Sequence, residues 1–196
     1  VEILNSKFIS SEGKFCDQIN PTIRSKIIFG IAAIMKKLHK EGVYIWNFFG
    51  NVCLDDNLEP RIRLNSWKYF NLNSVNIVSL CLCYEEIFDP IIPPGQDCEY
   101  ADVYNFAWFV CSMFTDAIDE HDFTTRYYRK KSREFSNIPC QYMELLEKCW
   151  NYDEYKRPTF EEIVEILKND KFALNEFSLK TNLDELHEYQ NRIDKD

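Results

Sequence analysis

The stretch Cys149-Trp150-Asn151-Tyr152-Asp153-Glu154-Tyr155-Lys156-Arg157-Pro158-Thr159-Phe160 decides how this chain folds. On its N-terminal side, Gln141 to Trp150 places Tyr142, Leu145, Leu146 and Cys149 on one face at helical spacing. On its C-terminal side, Thr159-x-x-Glu162 is a capping box, in which hydroxyl and carboxylate each accept from the other residue's backbone N–H. It predicts a helix over Phe160–Lys168.

Working outward, Ala101 to Thr115 is apolar nearly all round, the mark of a helix buried on every side. From Thr22 to Lys40, Ile27, Ile31, Ile34, Met35 and Leu38 recur at helical spacing. Asn20-Pro21 is the start signal of that helix and Gly42 its stop. Val52-Cys53-Leu54, a turn at Asp55-Asp56-Asn57 and the alternation Arg61-Ile62-Arg63-Leu64 predict a short β-hairpin. Pro60 stands at the start of its second strand, where a missing N–H is tolerated. Residues 65–100, with the cluster Ile91-Ile92-Pro93-Pro94-Gly95, carry no clear period and read as a long, functional loop. Asn182 to Ile193 predicts a short, partly frayed helix with its own box (Asn182, Glu185) and an apolar face of Leu183, Leu186, Gln190 and Ile193.

With 196 residues the chain is long enough for one sizeable core, and ordinary apolar and charged content argues against disorder. The net charge of −9 speaks against a nucleic-acid surface. The longest apolar run, Ala107 to Phe114, falls short of the ~18–20 residues a membrane helix needs. Glu2, Lys7 and Glu12 interrupt any signal-peptide pattern, so the chain is expected in the cytoplasm. Its first residue is Val, which reads as a fragment, a processed product or an incomplete gene model. None of its eight cysteines forms a CxxC pair, and reduced, mostly buried thiols are expected.

Three stretches together resemble the C-terminal lobe of a protein kinase of the tyrosine-kinase-like type. Leu38-His39-Lys40-Glu41-Gly42, followed nine residues later by Asn51-Val52-Cys53-Leu54-Asp55, is similar to the family's long helix, catalytic loop and hairpin. Ala101-Asp102-Val103-Tyr104-Asn105-Phe106 resembles the start of its central buried helix. The stretch from Cys149 to Phe160 resembles its C-W…R-P-T-F signature. The resemblance implies a mainly α fold with one small hairpin: a kinase-like C-lobe over residues 1–170 and a charged tail over 171–196. It also implies structural roles. Asp102 would accept hydrogen bonds from the catalytic-loop backbone. Arg157 would pair with the glutamate of the A-P-E motif, here near Phe88-Asp89-Pro90, and Trp150 would pack beneath it.

The same resemblance shows departures where chemistry is done. Phosphoryl transfer needs a base, a phosphate-clamping lysine and carboxylates for the metal. Aligned on Asn51, the H-R-D positions hold Tyr44, Ile45 and Trp46, and the loop lysine position holds Phe48. The D-F-G positions hold Leu64, Asn65 and Ser66. Trp46 cannot take a proton, and Leu64 offers no oxygen to a hard divalent cation. Asn51 is the polar remnant, and Cys53 lies by the floor of the nucleotide cleft. No Gly-rich loop or V-A-I-K lysine is present, so the N-lobe is expected to be absent, with the chain starting near the hinge at Val1–Asn5. ATP and Mg²⁺ enter only by family analogy, and no cofactor is expected.

Other clusters take ordinary readings. Arg126, Arg129, Lys130, Lys131 and Arg133 read as a solvated face, with an acidic-partner or nucleic-acid patch as the functional alternative; the resemblance favours an acidic protein partner. Asp116, Asp119, Glu120 and Asp122 beside His121 read as a solvated loop. The function expected is non-catalytic: protein–protein interaction, regulation or scaffolding in signalling, with no nucleic acid, no membrane and an unnamed protein partner. The alternatives are a piece of a longer kinase domain with weak ATP binding or nominal Ser/Thr/Tyr kinase activity, and a degenerate product without selected function.

Overall fold

The computed structural model describes residues 20–45, 52–55, 57–62, 69–71, 98–114, 137–176 and 179–195. The first helix, α1 (Pro21–Lys40), begins where Asn20 Oδ1 accepts from Ile23 N at 3.0 Å. Pro21 at its first position lacks only an N–H that would have had no helical partner. Lys37, His39 and Lys40 crowd its last turn, where cations complement the helix dipole. It ends at Gly42, whose φ of 68° lies in the left-handed region that a Cβ disfavours.

Two strands follow, β1 (Val43–Ile45) and β2 (Val52–Leu54), and then β3 (Pro60–Ile62) and β4 (Tyr69–Asn71). The hairpin β2–β3 pairs Val52 with Ile62, Cys53 with Arg61 and Leu54 with Pro60. Its turn is organised by Asp55, whose Oδ1 accepts from Asn57 N at 2.9 Å and Glu59 N at 3.0 Å. Residues 65–100 are not one loop: Tyr69–Asn71 pairs antiparallel with β1, Tyr44 opposite Phe70. A strand of three residues is too short to show a period, and only its partner reveals it. The expectation of a single hairpin is corrected likewise, since β5 (Asn175–Glu176) and β6 (Leu179–Lys180) form a third two-stranded pair.

The remaining helices are α2 (Cys98–Ser112), α3 (Cys140–Cys149), α4 (Phe160–Leu167) and α5 (Leu183–Lys195). The described residues are thus mainly helical. Helix α2 starts three residues before the predicted Ala101, and its residues 101–111 are all buried. Tyr142, Leu145, Leu146 and Cys149 of α3 are buried as the face predicts. The capping box of α4 is complete: Glu162 N donates to Thr159 Oγ1 at 3.2 Å, and Thr159 N to Glu162 Oε2 at 2.8 Å. Phe160, just inside, is buried against Phe106 of α2, ring centroids 5.4 Å apart. Burying such a ring contributes roughly 1.5–3 kcal/mol. Tyr142 anchors α3 to the following chain by donating to Phe172 O at 2.7 Å.

Helix α5 is capped by Asn182, whose Oδ1 accepts from Glu185 N at 3.2 Å. It lies along α1. Its inner face is Leu186, Tyr189 and Gln190, with Ile193 half-buried; Leu183, expected on that face, is exposed. Tyr189 takes its place because α1 and β3 together offer a site for a ring (below). Among the described residues no helix is long and apolar enough to cross a membrane.

Candidate functional site

Three elements converge on Asp102, in the first turns of α2. Its carboxylate is fully buried, and Oδ2 accepts from Ile45 N of β1 at 2.7 Å. His39 Nε2, at the end of α1, lies 3.0 Å from the same oxygen. Oδ1 and His39 Nδ1 are buried and have no hydrogen-bond partner among the described residues. Loss of water pushes the Asp102 carboxyl up to about 6, with Glu99 adding to the rise. The hydrogen bond and charge of His39 and the Ile45 N–H pull the other way. Near neutral pH the carboxyl is therefore ionised, and His39 Nε2 carries the shared hydrogen.

An aromatic collar surrounds the imidazole. Tyr44 lies 4.9 Å from the His39 ring at 58°, and Phe160 lies 4.9 Å away, edge-on at 90°. The capped start of α4 thus supports the end of α1, and α1 supports β1 through Asp102. In the sequence His39 stands out only as part of the Leu38–Gly42 stretch. Its partner stands 63 residues away, and the signal that could have found it is the pairing of "LH" with "ADVY" in the resemblance.

The second polar junction is Arg157. It is buried, donates from Nε to Asn151 O and from Nη1 to Tyr100 O, both at 3.0 Å. Its guanidinium lies 5.1 Å from the centroid of the Tyr104 ring. Asp89, the partner the sequence offers for Arg157, lies outside the described residues. Trp150 is buried against Trp108 of α2, with ring centroids 4.6 Å apart. Cys149, beside it, is no nucleophile: burial pushes its thiol up to about 12.

Of the positions aligned with the kinase machinery, Tyr44 and Ile45 form part of β1, with Ile45 buried. Cys53 stands in β2 opposite Arg61. Trp46, Phe48, Asn51, Leu64, Asn65 and Ser66 lie outside the described residues, as do the basic cluster of 126–133 and the acidic one of 116–122. Among the described residues no group of three or more His, Cys, Asp or Glu side chains is placed to hold a metal ion. What the described geometry does is mechanical: it fixes the backbone at Ile45 to the central helix.

Comparison with known proteins finds partial matches. A probable serine/threonine-protein kinase of Dictyostelium discoideum is 29% identical over 162 residues, 78% of this chain and 38% of that protein. An inactive protein tyrosine kinase, pTKL of Plasmodium falciparum, is 31% identical over 74 residues, 35% of this chain and 5% of that protein. Its namesake in Plasmodium berghei is 32% identical over 71 residues. No family model matches the chain. The chain shares weak, partial similarity with protein kinases, two of them named inactive, and spans 38% or less of each relative's length.

Proposed function

We propose that this chain is a non-catalytic, kinase-like C-lobe of the tyrosine-kinase-like type that acts by binding protein in regulation or scaffolding. One observation carries the reading. The buried Asp102 carboxylate holds the backbone of Ile45, within the Tyr44-Ile45-Trp46 run where the resemblance aligns a kinase's H-R-D. The scaffold bond is made while the run that it supports bears no acid. A tryptophan in place of the base removes a contribution of ~10²–10⁴ in rate. Leucine at position 64 withdraws the metal carboxylate as well. The likeness to proteins named inactive kinases agrees with this reading.

The test is a thermal melt of the chain with and without millimolar ATP and Mg²⁺, beside a phosphoryl-transfer assay on a generic protein substrate. No rise in Tm and no transfer are expected. A ligand at a hundred times its Kd would stabilise by about 2.7 kcal/mol, an unmistakable shift; that shift together with transfer would sink the proposal.

A second reading has its own support: the chain matches only 38% of the Dictyostelium kinase, so a longer parent could carry a nucleotide-binding lobe. In that reading the parent binds ATP weakly although this lobe does not. The same melt on the parent chain discriminates the two.

A further inference from the structure

Three segments far apart in sequence meet over Gly30, in the middle of α1. A Cβ built there would lie 2.2 Å from Tyr189 Oη of α5 and 2.4 Å from Pro60 Cγ of β3. Glycine is among the poorest helix formers. Its place here is explained by this close approach, since any side chain would displace either the hairpin or α5. The Tyr189 ring stands edge-on to Phe29, with centroids 6.4 Å apart. Arg192, one turn further along α5, bonds Glu59 of the hairpin turn and lies 5.3 Å from the Tyr189 ring.

Helix α5 is secured elsewhere too. Asp194 accepts from Lys36 of α1 at 2.8 Å and from Lys168, just past α4, at 2.7 Å. Lys26 meets Glu185 at 2.6 Å, and Gln190 Nε2 donates to Leu167 O at 3.3 Å. The hairpin packs on α1 through β3. It has three residues per strand, and isolated two-stranded hairpins are marginal in water. Leu54 sits in the core, while Val52, Leu58 and Ile62 are partly buried against it. Its turn end meets α5 where Glu59 bonds Arg192, and Pro60 shares the space over Gly30 with Tyr189.

We propose that α5 is a strap that clamps the β2–β3 hairpin onto α1, so that loosening α5 loosens the hairpin while the α2–α4 core stays folded. The hairpin starts seven residues after Ile45 and ends two before Leu64. The strap therefore acts on the chain next to both sets of positions aligned with kinase chemistry, and nothing in it depends on whether those positions are active.

Amide hydrogen exchange by mass spectrometry on the full chain tests this. Arg192→Glu places a carboxylate against Glu59 and is expected to speed exchange in residues 52–62 and 183–195 together by about two- to fivefold. Exchange in α2, α3 and α4 is expected to stay as in the parent. Adding Glu59→Lys, which exchanges the two charges, is expected to restore protection. Faster exchange in α5 with the hairpin unchanged, a uniform rise through the chain, or no recovery in the exchanged pair would each overturn the strap. Gly30→Ala is an independent arm. Helix propensity alone predicts slower exchange in α1, whereas the clamp predicts faster exchange in the hairpin and α5 at once. Should that variant fail to fold, the charge exchange decides alone.

Discussion

Helix α1 is held at its end by one buried carboxylate and along its length by a seam of exposed and half-buried charges. At Asp102, two hydrogen bonds of 2.7 and 3.0 Å are made where water is excluded. Along α5, Lys26, Lys36, Lys168 and Arg192 reach Glu185, Asp194 and Glu59 at or near solvent. In the first place each bond is costly to lose, because a buried group left without its partner cannot turn to water. In the second, charge pairs contribute little singly, and apolar contacts at Leu186 and Tyr189 supply most of the adhesion. The comparison teaches that one junction is a fixed point and the other is adjustable.

The largest effect is expected at the fixed point. Asp102→Ala should cost roughly 3 kcal/mol in urea unfolding, since it strands the Ile45 N–H and His39 in the interior. The cost should be the same at low and high salt. A value within a few tenths of zero would erase the distinction between the two regions.

The pH dependence separates them by sign. The Asp102 carboxyl is raised from an ordinary 3.8 to about 6, so the folded state holds its proton more tightly than the unfolded chain. The stability linked to that proton is fully present below about 3.8 and is lost as pH rises through about 6, about 3 kcal/mol in all. Asp194 runs the opposite way. Burial opposes its charge, but Lys168 and Lys36 hold its carboxyl below the ordinary range, so its contribution is lost as acid carries the pH through that lowered value. Unfolding of Asp102→Asn against the parent between pH 4 and 7 checks the first. A parallel slope in the two proteins would remove Asp102 as its cause.

Gly30→Ala comes next. Alanine gains about 1 kcal/mol of helix propensity, but overpacking against Tyr189 and Pro60 costs about 1–3. A net loss of about 1 kcal/mol in chemical unfolding is expected, and a gain would show that the three segments separate easily. The smallest effect belongs to Lys36→Met, which removes one of the two cations on Asp194. About 0.5 kcal/mol is expected at low salt, shrinking at 0.5 M KCl as screening sets in. A larger, salt-independent cost would make the seam a second fixed point.

Much of the helical framework was legible in the residues. The Thr159–Glu162 box, the Asn20-Pro21 start and the Gly42 stop are local chemistry, in which a side chain answers a backbone group three residues away or a φ that only glycine takes easily. The buried face of α3 and the all-round burial of α2 follow from the period of apolar residues. Strand β4 was not legible, because three residues cannot display a period and its partner lies 24 to 28 residues away. Tyr189 was missed for a related reason: a tyrosine on an acidic helix reads as surface until a groove beside Gly30 is known to receive it.

The sequence by itself determined the main helix start and stop signals and most of the apolar helix faces. Those properties are set by residue identity and by neighbours within a turn or two. Only the tertiary structure decided that His39 and Ile45 share one oxygen of Asp102, and that α5 closes over Gly30 and Pro60. Both depend on segments that approach only when the core has formed, and burial then decides what a carboxylate, a glycine or a tyrosine contributes.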